Sequence, residues 1–244
     1  MGDFVSSVGS ILSRVERHLE VAGQNISNVT TPGYKRAVSF EAVLGVPDAG
    51  LAKSDGSALQ AAQIAAQVAI DSTPGQQQVT DNPDNMAISG AGFFTVRTEG
   101  GTVLYTRHGQ FQRDTEGRLV SAEGAALQQS GGGDLVLKPG DYTVLTDGTV
   151  LQAGEAVGRI GIVDIADAAA LTYAENGLYS APEALVSVLE NASVVQGSLE
   201  TSNVSLGTEM ITVMAALREA QSGQRLMMVY DELMGRAITT FGQT

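Results

Sequence analysis

A heptad pattern near the N-terminus constrains the fold of this chain more than any other feature. Between Val5 and Val29, apolar residues recur at alternating steps of three and four, without a slip over more than three repeats. That spacing is typical of an amphipathic helix with one apolar seam. Because such a seam is unstable alone in water, the pattern predicts a partner helix. The seam positions are Val5, Val8, Leu12, Val15, Leu19, Ala22, Ile26 and Val29.

The C-terminal part of the chain offers that partner. From Ser202 to Ile238 there is no proline, and residues that favour helices are frequent. Ser202 is predicted to cap this helix. We expect the two terminal helices to pair as a coiled coil, either within one molecule or also between copies of it. The apolar positions of the second helix are Leu206, Met210, Val213 and Leu217, and then Leu226, Val229, Leu233 and Ala237.

The negative charge of the chain is concentrated in its middle. The net charge is +1 over residues 1–36, −12 over residues 37–197 and −2 over residues 198–244. Nucleic acid is not expected as a partner, because no basic patch offers to neutralise phosphates. No apolar run approaches the ~20 residues that span a bilayer, so we expect no membrane-spanning segment. The N-terminus lacks the pattern of a cleaved signal peptide, and any export is expected to use another route.

From Met86 onwards the pattern changes to short strands separated by turns. Residues 98–102 and 114–117 are typical of hairpin loops with glycine in a left-handed conformation. The many short strands predict an antiparallel, partly barrel-like β domain. The predicted strands are 93–97, 103–106, 110–113, 118–120, 135–137, 142–145, 149–151 and 158–164.

The predicted fold class is therefore α+β, with three parts. Residues 1–36 and 198–244 form the paired terminal helices, and residues 85–197 form the β domain. Residues 37–84 are a connector, within which Gly, Ala, Gln, Ser and Asp dominate from residue 46. A segment of this composition is either a flexible arm or an ordinary surface excursion.

The first helix should end near Asn28, because Pro32 disfavours a helical conformation at the preceding residue and Gly33 suits a turn. The stretch from residue 19 to residue 36, with its Asn-rich helix end and its Thr-Pro-Gly-Tyr-Lys sequence, resembles the N-terminal signature of bacterial flagellar rod and hook proteins. Gln24 and Ser27 stand where that family more often has Asn and Ala.

Two further blocks carry the same resemblance. One runs from residue 85 to residue 124 and contains Gly-Ala-Gly-Phe-Phe, Tyr-Thr-Arg-His-Gly-Gln-Phe and Asp-Thr-Glu-Gly-Arg-Leu-Val. The other comprises Asn-Gly-Leu-Tyr at 176–179 and Gln-Gly-Ser-Leu-Glu-Thr-Ser-Asn-Val at 196–204. The motif and turn residues singled out across the three blocks are Asn25, Asn28, Pro32, Gly33, Gly90, Gly92, Tyr105, Arg107, Gly117, Ser202 and Asn203.

The resemblance implies a structural subunit of the flagellar basal-body rod in the periplasm. Such subunits leave the cell through the type III export apparatus and assemble helically with copies of themselves and other rod subunits, their terminal helices forming an inner tube. Within the family the length excludes a typical hook protein. The single β domain and the connector favour the proximal rod protein, with a distal rod or hook-like axial subunit as the alternative. The expected assembly interface is Val8, Leu12, Val15, Leu19, Ile26, Leu206, Met210, Val213, Leu217, Leu226 and Leu233.

Catalytic chemistry is sparsely represented in the sequence. There is no cysteine, and neither His18 nor His108 has companions spaced as metal ligands. No nucleophile elbow or carboxylate pair is evident, so we expect no enzyme, catalytic residue, cofactor or metal. A secreted β-rich binding module with a helical stalk is a different possibility. It would carry exposed aromatic residues, whereas the chain has no Trp and only 5% aromatic residues.

Overall fold

The structure is a computed structural model that describes residues 2–40, 67–166, 170–189 and 191–241. Most of the predicted connector, residues 41–66, lies outside the described residues. The chain divides into two compact units. We call Met1–Ser27 with Ser205–Thr244 the helical unit, and Asn28–Val204 the β unit.

The helical unit consists of α1 (Gly2–Ser27) and α2 (Leu206–Phe241). The end of α1 agrees with the stop predicted near Asn28, where the backbone turns and the Thr31 N–H donates to the Asn28 carbonyl at 3.1 Å. The predicted capping role of Ser202 is wrong, because α2 begins four residues later. The Ser202 hydroxyl instead accepts a hydrogen bond from the Val204 N–H at 3.2 Å.

The helices pack through a line of α2 that the sequence analysis did not select. Glu209, Ala216 and Gly223 are buried and spaced by seven residues. A Cβ added at Gly223 would lie 3.8 Å from Leu12 Cδ2 and 3.9 Å from Ile11 Cγ2, so small residues allow the two helices to approach closely. The predicted coiled coil is therefore wrong, because the apolar α2 positions that should form its seam are mostly exposed.

The β unit is built from short antiparallel strands. Three small sheets pair β1 with β2, β17 with β4, and β18 with β3, and a fourth has the order β10-β11-β12. Their bounds are β1 Ala37–Phe40, β2 Gln67–Ile70, β3 Gln77–Val79, β4 Met86–Ser89, β10 Tyr142–Val144, β11 Thr149–Gln152, β12 Glu155–Arg159, β17 Ser193–Gln196 and β18 Ser198–Glu200.

The largest sheet has nine strands in the order β14-β15-β6-β5-β9-β8-β7, with β13 joining β5 and β16 joining β13. Within the described residues this path has two ends, at β14 and β7, so the predicted partly closed barrel is also wrong. The described residues form two α-helices and many short strands, with neither a coiled coil nor a closed barrel, so the predicted fold class does not hold. The strands are β5 Phe93–Arg97, β6 Val103–Thr106, β7 Gln112–Arg113, β8 Leu119–Val120, β9 Ala126–Leu127, β13 Ile162–Ile165, β14 Thr172–Glu175, β15 Leu178–Ser180 and β16 Val186–Val188.

One apolar core holds these sheets together. Phe94 of β5 meets Phe111 edge to face, with ring centroids 5.6 Å apart. Leu135 and Leu137 are buried and Val136 is exposed, although the strand predicted at 135–137 is replaced by an isolated bridge to Arg118. The other large buried members include Met86, Ile88, Val96, Leu119, Leu127, Val150, Ile160, Ile162, Leu178 and Val194.

Candidate functional site

The predicted assembly residues divide into two groups by burial. On α1, Val15 is buried and Leu12, Leu19 and Ile26 are half-buried, while the side chain of Val8 lies outside the description. On α2, Val213 is half-buried. The remaining α2 positions are exposed, with relative exposures of 46% for Leu206, 55% for Met210, 47% for Leu217, 51% for Leu226 and 59% for Leu233.

Other large apolar side chains of α2 are equally exposed. A monomeric soluble protein rarely exposes a large contiguous apolar patch, and such a patch commonly marks an interaction surface. We call this set the α2 apolar surface: Leu206, Met210, Ile211, Met214, Leu217, Leu226, Met228, Val229 and Leu233.

A different kind of site lies inside the β unit, where the three sequence blocks meet. Lys35, Arg107 and Glu200 come from the first, second and third block respectively, and each is almost completely buried. Lys35 Nζ lies 2.5 Å from Glu200 Oε1, and Arg107 Nη1 lies 2.8 Å from Glu200 Oε2. One carboxylate therefore joins two cations that are far apart in the sequence. We call these three residues the buried ion triad.

Backbone groups add further hydrogen bonds to the triad, although the buried Arg107 Nε has no hydrogen-bond partner among the described residues. Glu200 Oε1 also accepts from the Gly75 N–H at 2.7 Å, and Lys35 Nζ donates to the Thr73 carbonyl at 2.8 Å. Arg107 Nη1 donates to the Ile88 carbonyl at 3.2 Å, and its Nη2 donates to the Gly90 carbonyl. Both oxygens of the carboxylate are thus used in holding the fold, which favours a structural role over acid–base chemistry.

Burial shifts the titration of both cations in the same direction. Burial lowers the pKa of Lys35, and the hydrogen bond and charge of Glu200 act against that effect. Burial likewise lowers the pKa of Arg107, again opposed by Glu200. Removing the carboxylate would leave two desolvated cations without their counter-charge, and that is costly in a protein interior.

Gly33 shows why the first block needs a glycine after Pro32. Its φ is +68°, a conformation that is unfavourable for residues with a side chain. A Cβ there would lie 2.2 Å from the carbonyl carbon and oxygen of Arg107. The Gly33 N–H donates to the Glu200 carbonyl at 2.7 Å, so this turn is fastened directly to two members of the triad.

Asn203 ties the third block to the first and to residues 71–73. Its Oδ1 accepts from the Arg36 N–H at 2.7 Å, and its Nδ2 donates to the carbonyls of Asp71 and Thr73 at 2.9 and 3.0 Å. Tyr179, which the sequence analysis did not single out, accepts from the Lys35 N–H at 2.9 Å. Burial raises the pKa of Tyr179, so its hydroxyl stays neutral.

The remaining motif residues serve turns and strand contacts. Gly92 and Gly117 have positive φ, and the Gly117 carbonyl accepts from the Leu137 N–H at 2.7 Å. Tyr105 is buried in β6 opposite Thr95 and Tyr179. Asn25 is fully buried in α1, in the helical unit and not with the triad. Asn28 accepts a side-chain hydrogen bond from the Thr31 hydroxyl at 3.2 Å.

His108 follows Arg107 and is buried, with its Nε2 lacking a hydrogen-bond partner. Burial lowers its pKa, against the charge of Glu123 and a hydrogen bond with Gln110, so the neutral form is favoured. Across the described ranges, no group of three or more His, Cys, Asp or Glu residues is arranged to hold a metal ion. In those same ranges, neither helix combines the length and apolar character needed to cross a membrane.

Lys35 and Glu200 were not predicted as site residues, although both lie within the motifs of the first and third blocks. A signal was present, because Glu200 is a lone acid in the strand-like Val-Val-Gln-Gly-Ser-Leu-Glu stretch. A carboxylate in a strand is either exposed to solvent or paired with a cation. The sequence alone does not show whether a cation lies close enough in space to pair with it.

The aromatic residues bear on the alternative of a secreted binding module. Every aromatic side chain whose burial is described is buried or half-buried, and the half-buried ones are Tyr173 and Tyr230. Tyr173 packs edge to face on Tyr34 and on Tyr179, with ring centroids 5.9 and 5.8 Å apart respectively. The described residues therefore present no exposed aromatic platform of the kind that a carbohydrate-binding face uses.

Comparison with known proteins gives matches along nearly the whole chain. Residues 87–177 match the family described as flagellar hook protein FlgE/F/G D1 domain, and residues 195–240 match flagellar basal body rod FlgEFG protein C-terminal. The flagellar basal-body rod protein FlgF of Caulobacter vibrioides is 34% identical over 239 residues, with 94% of each chain covered.

Two other relatives have similar coverage. FlgF of Mesorhizobium japonicum is 29% identical, with 93% of each chain covered. The flagellar basal-body rod protein FlgG of Bacillus subtilis is 30% identical, with 91% of this chain and 93% of the relative covered. The matched regions contain Arg107 and Glu200 of the buried ion triad. These similarities confirm the resemblance seen in the three sequence blocks, and the chain belongs to the family of structural flagellar basal-body rod proteins.

Proposed function

We propose that this chain is an axial subunit of the flagellar basal-body rod that packs against other rod subunits, including copies of itself, through the α2 apolar surface. The observation that carries the proposal is the exposure of large apolar side chains along α2, in a unit that already buries a different line of α2 against α1. When a surface of each subunit meets a different surface of the next one, and the rotation between subunits does not close a ring, the result is a helical array.

In this proposal the helices form the contacts between subunits, and the β unit does not contribute to them. Its charge is strongly negative, since residues 37–197 alone have a net charge of −12. Like charges keep such bodies apart and soluble, whereas the helical ends are nearly neutral and can be crowded together. We place the subunit in the periplasmic rod, which it reaches through the type III export apparatus. Its single β unit favours the proximal over the distal rod.

The test compares two exposed apolar residues of equal exposure in the two units. Leu217 of α2 is 47% exposed and Val136 of the β unit is 48% exposed. In a strain that lacks its own copy of the gene, we expect Leu217→Asp to abolish rod assembly and swimming, because a charge buried at an interface costs about 2–4 kcal/mol or more. Val136→Asp should leave both intact.

The control for folding is the circular dichroism of each purified variant, which should match the parent protein. Normal swimming of the Leu217→Asp strain, with the variant present in isolated basal bodies, would overturn the proposed surface. An equal loss with Val136→Asp would show that the effect is not specific to α2.

A further inference from the structure

The methionines of this chain are distributed very unevenly. The sequence contains seven, and five of them lie in α2, whereas there is no cysteine. Met210, Met214 and Met228 are 55%, 53% and 62% exposed. Met86, in the core of the β unit, is 0% exposed. Among the methionines whose burial is described, the exposed ones therefore all lie on one helix, and the sequence contains no thiol that competes for an oxidant.

Three of the four α2 methionines described as exposed lie along one side of the helix, and the fourth, Met227, is the least exposed at 36%. Met210 and Met228 are 18 residues apart, which is about five full turns, and Met214 follows Met210 by about one turn. Leu217, about two turns after Met210, lies on the same side. Glu209, Ala216 and Gly223, the line buried against α1, lie elsewhere on the circumference. We call Met210, Met214 and Met228 the methionine stripe.

Peroxides attack a solvent-exposed thioether directly. The sulfur takes one oxygen atom from hydrogen peroxide, the O–O bond breaks, the thioether is oxidised to a sulfoxide and the peroxide is reduced to water. The product is polar, and it replaces a flexible apolar side chain that packs well against irregular surfaces. Three such changes within the α2 apolar surface would remove much of its capacity to exclude water.

We propose that the methionine stripe is an oxidation site, at which peroxides convert Met210, Met214 and Met228 to sulfoxides and so exclude the damaged subunit from the rod. This inference rests on the proposed function, because it takes packing through the α2 apolar surface as the step that oxidation blocks. The modification is reversible, since methionine sulfoxide reductases restore the thioether. Packing into the rod would bury the stripe, so a subunit is sensitive before it is incorporated and protected afterwards.

The first experiment measures where oxidation occurs. The purified full-length protein is treated with hydrogen peroxide, and sulfoxide at each methionine is followed over time by peptide mass spectrometry. We expect Met210, Met214 and Met228 to react on the order of 10-fold faster than Met86, because exposure governs the reaction. Equal rates at Met86 and at the stripe would overturn the proposal.

The second experiment measures the consequence in cells. Cells are exposed to sublethal peroxide while new rods form, and sulfoxide is compared between chains in isolated basal bodies and chains outside them. We expect sulfoxide at the stripe to be depleted on the order of 10-fold in the incorporated chains. Equal levels in the two pools would overturn the proposal and leave the proposed function standing, whereas absence of the chain from basal bodies would refute the proposed function and the inference with it.

A matched variant separates sulfur chemistry from packing. Met210→Leu, Met214→Leu and Met228→Leu together keep the stripe apolar and favour the helix about equally well. Rod assembly of this variant and of the parent protein is measured with and without peroxide, each relative to its own untreated level. We expect peroxide to lower the relative assembly of the parent protein and to leave that of the variant unchanged. Persistent sensitivity in the variant would contradict an action through these three sulfurs.

Discussion

The two units of this molecule treat charged and apolar side chains in opposite ways. The β unit buries Lys35, Arg107 and Glu200 and pairs them with one another and with backbone carbonyls and amides. The helical unit leaves many of the largest α2 side chains exposed and buries Ala216 and Gly223 instead. The difference indicates that the β unit is complete within one chain, whereas the helical unit still has apolar surface to bury.

The β unit is stabilised by contacts between residues that are far apart in the sequence. The triad joins residues 35, 107 and 200, so the β unit is closed by a strand close to its C-terminal end. Two further contacts hold this strand in place. β18 pairs with β3, and the N–H of Thr201, the residue after β18, donates to the Gln76 carbonyl at 2.7 Å. The β unit therefore depends on a few long-range contacts, each of which should matter greatly.

The largest expected effect comes from neutralising Glu200. Glu200→Gln leaves Lys35 and Arg107 buried without a counter-charge, and we expect the free energy of unfolding of the β unit to fall by about 3–5 kcal/mol. Urea unfolding followed by tyrosine fluorescence measures the change. Glu155→Gln, at an exposed position, should stay within about 0.5 kcal/mol of the parent protein. If the Glu200→Gln protein were as stable as that control, the β unit would not depend on the buried ion triad, and the contrast between the two units would be refuted.

A smaller effect is expected at Gly33. Gly33→Ala imposes a side chain at a φ of +68° and within 2.2 Å of the Arg107 carbonyl, and should cost about 2–4 kcal/mol. Gly154 is a matched control, because its φ is +84° but no atom lies within 4 Å of an added Cβ. Gly154→Ala should cost only about 1–2 kcal/mol, the backbone cost alone.

Urea unfolding of the two alanine variants isolates the close approach between Gly33 and the triad. The difference between the two losses is the cost of forcing the turn away from Arg107. If Gly33→Ala and Gly154→Ala destabilise the protein equally, the turn is not packed on the triad as the structure has it.

Local chemistry is what the sequence predicted well. The end of α1 at Ser27 followed from Pro32 and Gly33, and the hairpin at 98–102 followed from its glycines, since the Thr98 N–H donates to the Thr102 carbonyl at 3.0 Å. The bounds of β5 and β6 were also predicted. These features depend on a few neighbouring residues, so a short stretch of sequence is enough to predict them.

Long-range geometry is what the sequence did not determine. The heptad on α2 predicted a buried seam, but Ala216 and Gly223 allow a closer approach to α1 than Met210 or Leu217 would. Periodicity identifies an apolar face without saying whether its own chain covers it. The pairing of Glu200 with Lys35 was likewise hidden, because a charge in a strand gives no sign of the partner that it finds 165 residues away.

The smallest expected effect tests the close approach of the two helices. Gly223→Ala adds a Cβ in ordinary contact with Leu12 and Ile11, and it removes the penalty that glycine imposes on a helix. We expect it to stabilise the helical unit by about 0.5–1 kcal/mol, measured by amide exchange within α1 and α2. Gly9→Ala is the matched control, because an added Cβ there meets nothing within 4 Å and reports helix propensity alone. Gly223→Leu should instead destabilise the unit by about 1–3 kcal/mol through overpacking, and a stabilising Gly223→Leu would mean that the buried line of α2 is not the one that faces α1.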